Sequence, residues 1–135
     1  MGLITELQEE HKELLKLFNE FVVKIDDDGS IERLQNLKRI LVLHLEKEDE
    51  GLYPILSKSD VGEVKGICAQ FNESMRKLSE KVMGIFIEFE NKKGKVDDSF
   101  KERLIEIGTS LKGRIIIEEY TLFPLYEKFL TVYIW

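Results

Sequence analysis

Apolar residues recur at alternating steps of three and four along nearly the whole chain, and only two prolines interrupt them. That period keeps one face of a helix apolar, whereas a half-buried strand would alternate every second residue. The first segment runs Ile4, Leu7, His11, Leu14, Phe18, Phe21, Ile25, and the second Leu34, Leu37, Leu41, His44, Glu48, Leu52, Ile55. The third runs Val64, Ile67, Phe71, Met75, Leu78, Val82, Ile85, Phe89. The fourth runs Phe100, Leu104, Ile107, Leu111, then Arg114 and Glu118, then Leu122, Leu125 and Phe129. DDDGS (26–30), SKSD (57–60) and NKKGKVDD (91–98) punctuate them with glycine and capping acids. Four helices of about 20 to 30 residues, each roughly 30 to 45 Å long, follow. Links this short make neighbours antiparallel. The expectation is an all-α fold, an antiparallel up-down-up-down four-helix bundle forming one domain over residues 1–135.

Five residues break the apolar seams: His11, His44, Glu48, Arg114 and Glu118. Solvated charge belongs on the outer faces, so polar groups on a seam need another account. His44 and Glu48 are four apart, on one face of one helix. Two imidazoles and a carboxylate suit Fe(II), and also Zn(II), Mn(II) or Ni(II). HLEKEDEGLYP (44–54) is echoed by RIIIEEYTLFP (114–124). The two share Glu48 with Glu118, Leu52 with Leu122 and Pro54 with Pro124, but Arg114 answers His44. This register suggests an internal duplication, with each proline tending to kink or end its helix.

EEHKELLKLF, HLEKEDEGLYP and IEEYTLFPLYEK together resemble the hemerythrin-like (HHE cation-binding) domains, over nearly the whole chain and in helix order. The resemblance implies a four-helix bundle that holds a non-haem iron pair or related metals. One histidine would come from helix 1, His-x-x-x-Glu from helix 2, and a similar set from helices 3 and 4. It implies roles in binding oxygen, sensing oxygen or iron, or handling iron and reactive oxygen and nitrogen species. By position His11, His44 and Glu48 match the first half, and Glu118 alone matches the second. The helix 3 histidine falls near Asn72 and the helix 4 histidine on Arg114.

Charge then limits the ion count. With neutral imidazoles, Glu48, Glu118 and Arg114 leave one net negative charge, and burying the excess from two divalent ions is costly. Arginine has no acceptor and cannot ligate, so its guanidinium is expected to occupy the second-ion position and bind Glu118 or Glu48. The expected cofactor is one transition-metal ion at most, iron first, with zinc or manganese as alternatives. The competing reading is a metal-free polar layer in a bundle that serves as a regulatory or interaction module.

The remaining features bound the function class. A net charge of −6 argues against nucleic acid as a partner. No apolar run nears the roughly 18 residues of a membrane span, and MGLITELQEEHKELL lacks a signal-peptide pattern. MGLITE fits the start of a myristoylation signal, except that Glu6 stands where Ser or Thr is wanted. The single cysteine, Cys68, forms no intrachain disulfide and suits a reducing, cytoplasmic setting. It is expected to be a small buried residue rather than a ligand. Tyr53 and Tyr120 are expected to pack with their hydroxyls at a wet edge. Ile115, Ile116 and Ile117 cannot all face one core. One of them, or the terminal TVYIW, is the candidate for a homodimer contact. No phosphate loop, Ser/His/Asp pattern or acid–base pair suggests an enzyme, and an iron-dependent oxidase or peroxidase ranks third.

Overall fold

A computed structural model describes residues 2–58 and 62–134, with the side chains of 63 and 129–134 excepted. Every regular element in it is helical: α1 (Leu3–Val23), α2 (Ser30–Gly51), α3 (Tyr53–Ser57), α4 (Gly62–Asn91), α5 (Asp98–Ile117), a π-helical turn (Glu118–Leu122) and α6 (Phe123–Ile134). α1 packs against α2 and α5, and α4 packs against the same two, so the four long helices form a closed square. Of the residues beyond this description, 59 and 60 belong to the SKSD break, and the side chains of the TVYIW tail carry the subunit-contact expectation.

The seams explain the packing. Ile4, Leu7, His11, Leu14, Phe18, Phe21 and Ile25 are all buried, as the period of the first segment requires. Three buried rings from α1, α4 and α5 meet in the interior. Phe21 meets Phe89 edge-on at 5.0 Å, and Phe89 meets Phe100 at 5.8 Å. Each such ring contributes roughly 2 to 3 kcal/mol through burial. Asp97 caps α5, its Oδ1 accepting from the Phe100 N–H at 2.8 Å. Gly94, at φ +80°, lets the chain leave α4 in a left-handed turn.

The two prolines act differently. Pro54 lies in the first turn of α3, where a missing N–H costs nothing. α2 therefore stops at Gly51, and the chain restarts one residue later instead of continuing as one kinked helix. Ahead of Pro124 the helix widens, and the Phe123 N–H bonds back to the Glu118 carbonyl, five residues away. The wider turn brings Glu118, Leu122 and Phe123 together on the buried side.

The fourth seam also differs from the expected register. Leu111 is followed by Ile115, then Glu118, so Ile115 takes the core position expected for Arg114. Steps of four then three fit a 3.6-residue period as well as three then four. Burying isoleucine instead of a guanidinium decides between them. Ile116 and Ile117 point outward, as their adjacency to Ile115 demands.

Candidate metal centre

His11 and His44, the chain's two histidines, face each other from the middle of α1 and α2, their ring centroids 4.7 Å apart. Glu48 lies one turn beyond His44, and Glu118 opens the π turn on the opposite wall. Each of the four is at most 3 % exposed. One ligand atom from each can be chosen so that all lie within 4.8 Å of one another.

The outer edge of each ring fixes its orientation. His11 Nδ1 lies 3.1 Å from Glu119 Oε2, and His44 Nδ1 lies 2.9 Å from Glu10 Oε1. Lys47 pairs in turn with Glu10 and lies 3.7 Å from Glu6. An ionised carboxylate only accepts, so a neutral ring that donates its Nδ1 proton to its outer glutamate keeps a lone pair on Nε2. Both Nε2 atoms face inward. That of His11 is 2.8 Å from Glu118 Oε1; that of His44 is 3.3 Å from Glu48 Oε1 and 4.0 Å from Glu118 Oε1. Phe123 stacks on the His11 ring at 5.5 Å and 8°.

In that tautomer, and with both carboxyls ionised, the interior of this cluster holds acceptors aimed at acceptors. Both Glu48 oxygens and Glu118 Oε1 are enclosed without a hydrogen-bond partner. Such a group is costly unless a proton or a cation sits among the lone pairs. Burial, followed by the facing Glu118 carboxyl, pushes the Glu48 carboxyl up to about 11. Burial also pushes Glu118 upward, but contacts from Glu48 and His11 and the fields of both histidines outweigh it and hold Glu118 below the usual range. Burial, then the neighbouring His11, lowers His44 despite its bond to Glu10. At neutral pH, without a cation, Glu48 is thus a neutral acid beside an ionised Glu118, and His44 is a neutral base.

The donor set fits a transition-metal ion. Two neutral imidazole nitrogens with carboxylates suit Fe(II), Zn(II) and Mn(II). Two ionised carboxylates neutralise one divalent ion, and each ring already has the outer partner that metal-bound histidines use.

Two residues tied to the site by register lie away from it. Arg114 makes no ion pair with Glu48 or Glu118; its Cζ instead stands 5.7 Å over the Phe71 ring. The expected guanidinium beside the carboxylates is therefore corrected, because Ile115 holds the core position and turns Arg114 to the flank. Asn72 is exposed on α4, while its neighbours Phe71 and Met75 fill the seam. Cys68 is buried, its thiol pushed up by burial and 3.9 Å from the Tyr53 carbonyl, and it is not among the clustered donors. Tyr120 is solvent-exposed, but the Tyr53 hydroxyl is enclosed, contrary to the wet edge expected for it.

Sequence reasoning missed Glu10 and Glu119. Each adjoins a site residue in the EEH and EEY runs, so adjacency was the available signal. Their role needs the crossing of α1 with α2 and with the π turn, which no single-helix pattern contains.

A family model for the hemerythrin HHE cation binding domain matches residues 2–126. There is no match among curated proteins or solved structures. The match spans all four long helices and each residue of the His–Glu cluster, and the chain belongs to the hemerythrin HHE cation-binding domain family.

Proposed function

We propose that this protein holds a single transition-metal ion, iron first and zinc or manganese as alternatives, through His11, His44, Glu48 and Glu118. Its role in this reading is metal or redox sensing, or iron handling, in the cytoplasm. One observation carries the proposal: both histidines have their Nδ1 edges engaged by Glu119 and Glu10, which leaves both Nε2 lone pairs aimed at two carboxylates. With Arg114 on the flank, the four groups supply two negative charges, so one divalent ion makes the cluster neutral. Of the two positions that the resemblance matched to further histidines, Asn72 is exposed and Arg114 lies over the Phe71 ring, so neither brings a donor for a second ion into the cluster. A bound Fe(II) supplies a redox-active centre with coordination positions left for a small ligand. The chain's own part is to orient two imidazoles, accept positive charge at two carboxylates and enclose them.

Anaerobic titration of the metal-free protein with Fe(II), Zn(II) and Mn(II) tests the proposal. Saturable binding at one ion per chain supports it, and no binding of any of the three contradicts it. The outer partners give a finer check. Glu119→Ala and Glu10→Ala should each weaken Zn(II) binding by roughly 10- to 100-fold, read by competition with a chelator. Both residues are partly exposed, at 32 % and 22 % for their side chains, so the fold should survive the substitutions. Affinities within about twofold of the parent would show that the outer carboxylates do not orient the rings.

The second reading, a bundle whose polar layer works without metal as an interaction module, rests on Glu48. A carboxyl held at about 11 can lie in the core as a neutral acid. The same titration separates the two.

A further inference from the structure

A groove of about 540 Å³ opens to solvent between α1 and α5. Three contacts fix how these antiparallel helices are aligned. Lys101 reaches Asp26, just past α1, at 3.1 Å, and His11 reaches Glu118 at 2.8 Å. Between them Phe18 lies so close to Gly108 that a Cβ there would stand 2.5 Å from the ring. In that alignment Lys16 stands level with Lys112, Asn19 with Thr109, and Val22 with Ile105. The stretch from Lys16 to Val22 spans roughly 9 Å at the helical rise per residue.

The groove is cationic at one end and apolar at the other. Lys16 and Lys112 are exposed, and among the described residues neither takes part in an ion pair. No residue lining the groove is acidic, in a chain whose net charge is −6. Phe18 forms the floor, Leu15 and Val22 are half-buried, and Ile105 is 56 % exposed. Midway, Thr109 donates its hydroxyl proton to the Ile105 carbonyl at 3.1 Å and so offers no free donor to the groove. Two unpaired ammonium groups at the head of an apolar trough match an anion with an apolar body.

We propose that this groove binds a free, single-chain fatty carboxylate. The carboxylate lies between Lys16 and Lys112, and the chain runs over Phe18 toward Val22 and Ile105. Each ammonium donates a charge-assisted hydrogen bond to the carboxylate. Burial of the chain also takes the exposed face of Ile105 out of water. The volume falls within the roughly 300 to 1,000 Å³ of small-molecule sites. The occupant is the monomer and not an anionic bilayer, whose surface the protein's net negative charge opposes. The site does not depend on whether the His–Glu cluster holds an ion.

The probe is decanoate, added below its micelle-forming concentration and followed by amide NMR. The expected result is saturable binding at one per chain, with the largest shifts at Lys16, Val22, Ile105 and Lys112. Decyltrimethylammonium, with the same chain and the opposite charge, should bind at least tenfold more weakly. Lys16→Glu with Lys112→Glu should weaken decanoate by roughly tenfold or more, and Ile105→Asp should do the same at the other end. All three side chains are exposed, so circular dichroism should show the fold retained. No saturable binding of decanoate overturns the proposal. Equal binding of the two amphiphiles, or affinities within about twofold of the parent in folded variants, overturns it as well. Shifts at Val22 and Ile105 that follow protein concentration without decanoate would make the groove a contact between two copies, and would also overturn it.

Discussion

Replacing His44 by alanine should cost the protein its ion. In the proposed site His44 supplies one of two neutral nitrogen donors, from a ring held by Glu10 and, through Glu10, by Lys47. Outer-partner changes carry roughly 10- to 100-fold in affinity. Loss of a direct donor should exceed this, at about three orders of magnitude, or roughly 4 kcal/mol. The effect should appear in stability as well. An ion that binds only the folded chain stabilises it by about 4 kcal/mol at a thousand times its dissociation constant. The parent's melting temperature should therefore rise on adding Fe(II) or Zn(II), and that of His44→Ala should not. Denaturation with and without chelator checks this directly. A variant that keeps the full shift would exclude His44 from the site.

Glu48→Gln should abolish tight ion binding and, in the metal-free protein, increase stability. The sign follows from proton counting. The folded carboxyl, at about 11, keeps a proton that the unfolded chain has already released above the ordinary carboxylate value of 4.5. Between those values the folded state binds more protons, so stability falls as pH rises, by on the order of 1 kcal/mol per pH unit. His44 acts in the opposite direction at lower pH. Its folded value is depressed, so stability is lost as pH falls below the ordinary imidazole value of 6.5. The Glu48 slope should therefore stand clear between about pH 7 and pH 9. Glutamine keeps the shape and has no proton to lose. The slope should flatten in the variant, which should be more stable than the metal-free parent at about pH 9 by on the order of 2 kcal/mol. Denaturant midpoints in the presence of chelator measure both quantities. A metal-free parent whose stability stays flat or rises over that range would contradict the protonation state given to Glu48.

These two residues also show what a sequence can disclose. His11, His44 and Glu48 were legible because a helix seam is a one-dimensional pattern, and a polar residue on an apolar seam stands out. The bundle followed from the same periodicity and from short links. Arg114 shows the limit. Two registers of the fourth helix fit the period equally, and the likeness of RIIIEEYTLFP to HLEKEDEGLYP favoured the wrong one. What decided was three-dimensional: Ile115 was available for the core, and the arginine could leave it for the face of Phe71. Glu10 and Glu119 were not legible as parts of the site. Their places depend on how α1 lies against α2 and on the π turn that follows α5.

The most direct test of the account is a crystal of the iron-loaded protein measured at the iron absorption edge. One anomalous peak should lie within bonding distance of His11 Nε2, His44 Nε2 and carboxylate oxygens of Glu48 and Glu118. Two peaks, a peak elsewhere, or an empty cluster in protein loaded with iron would contradict it.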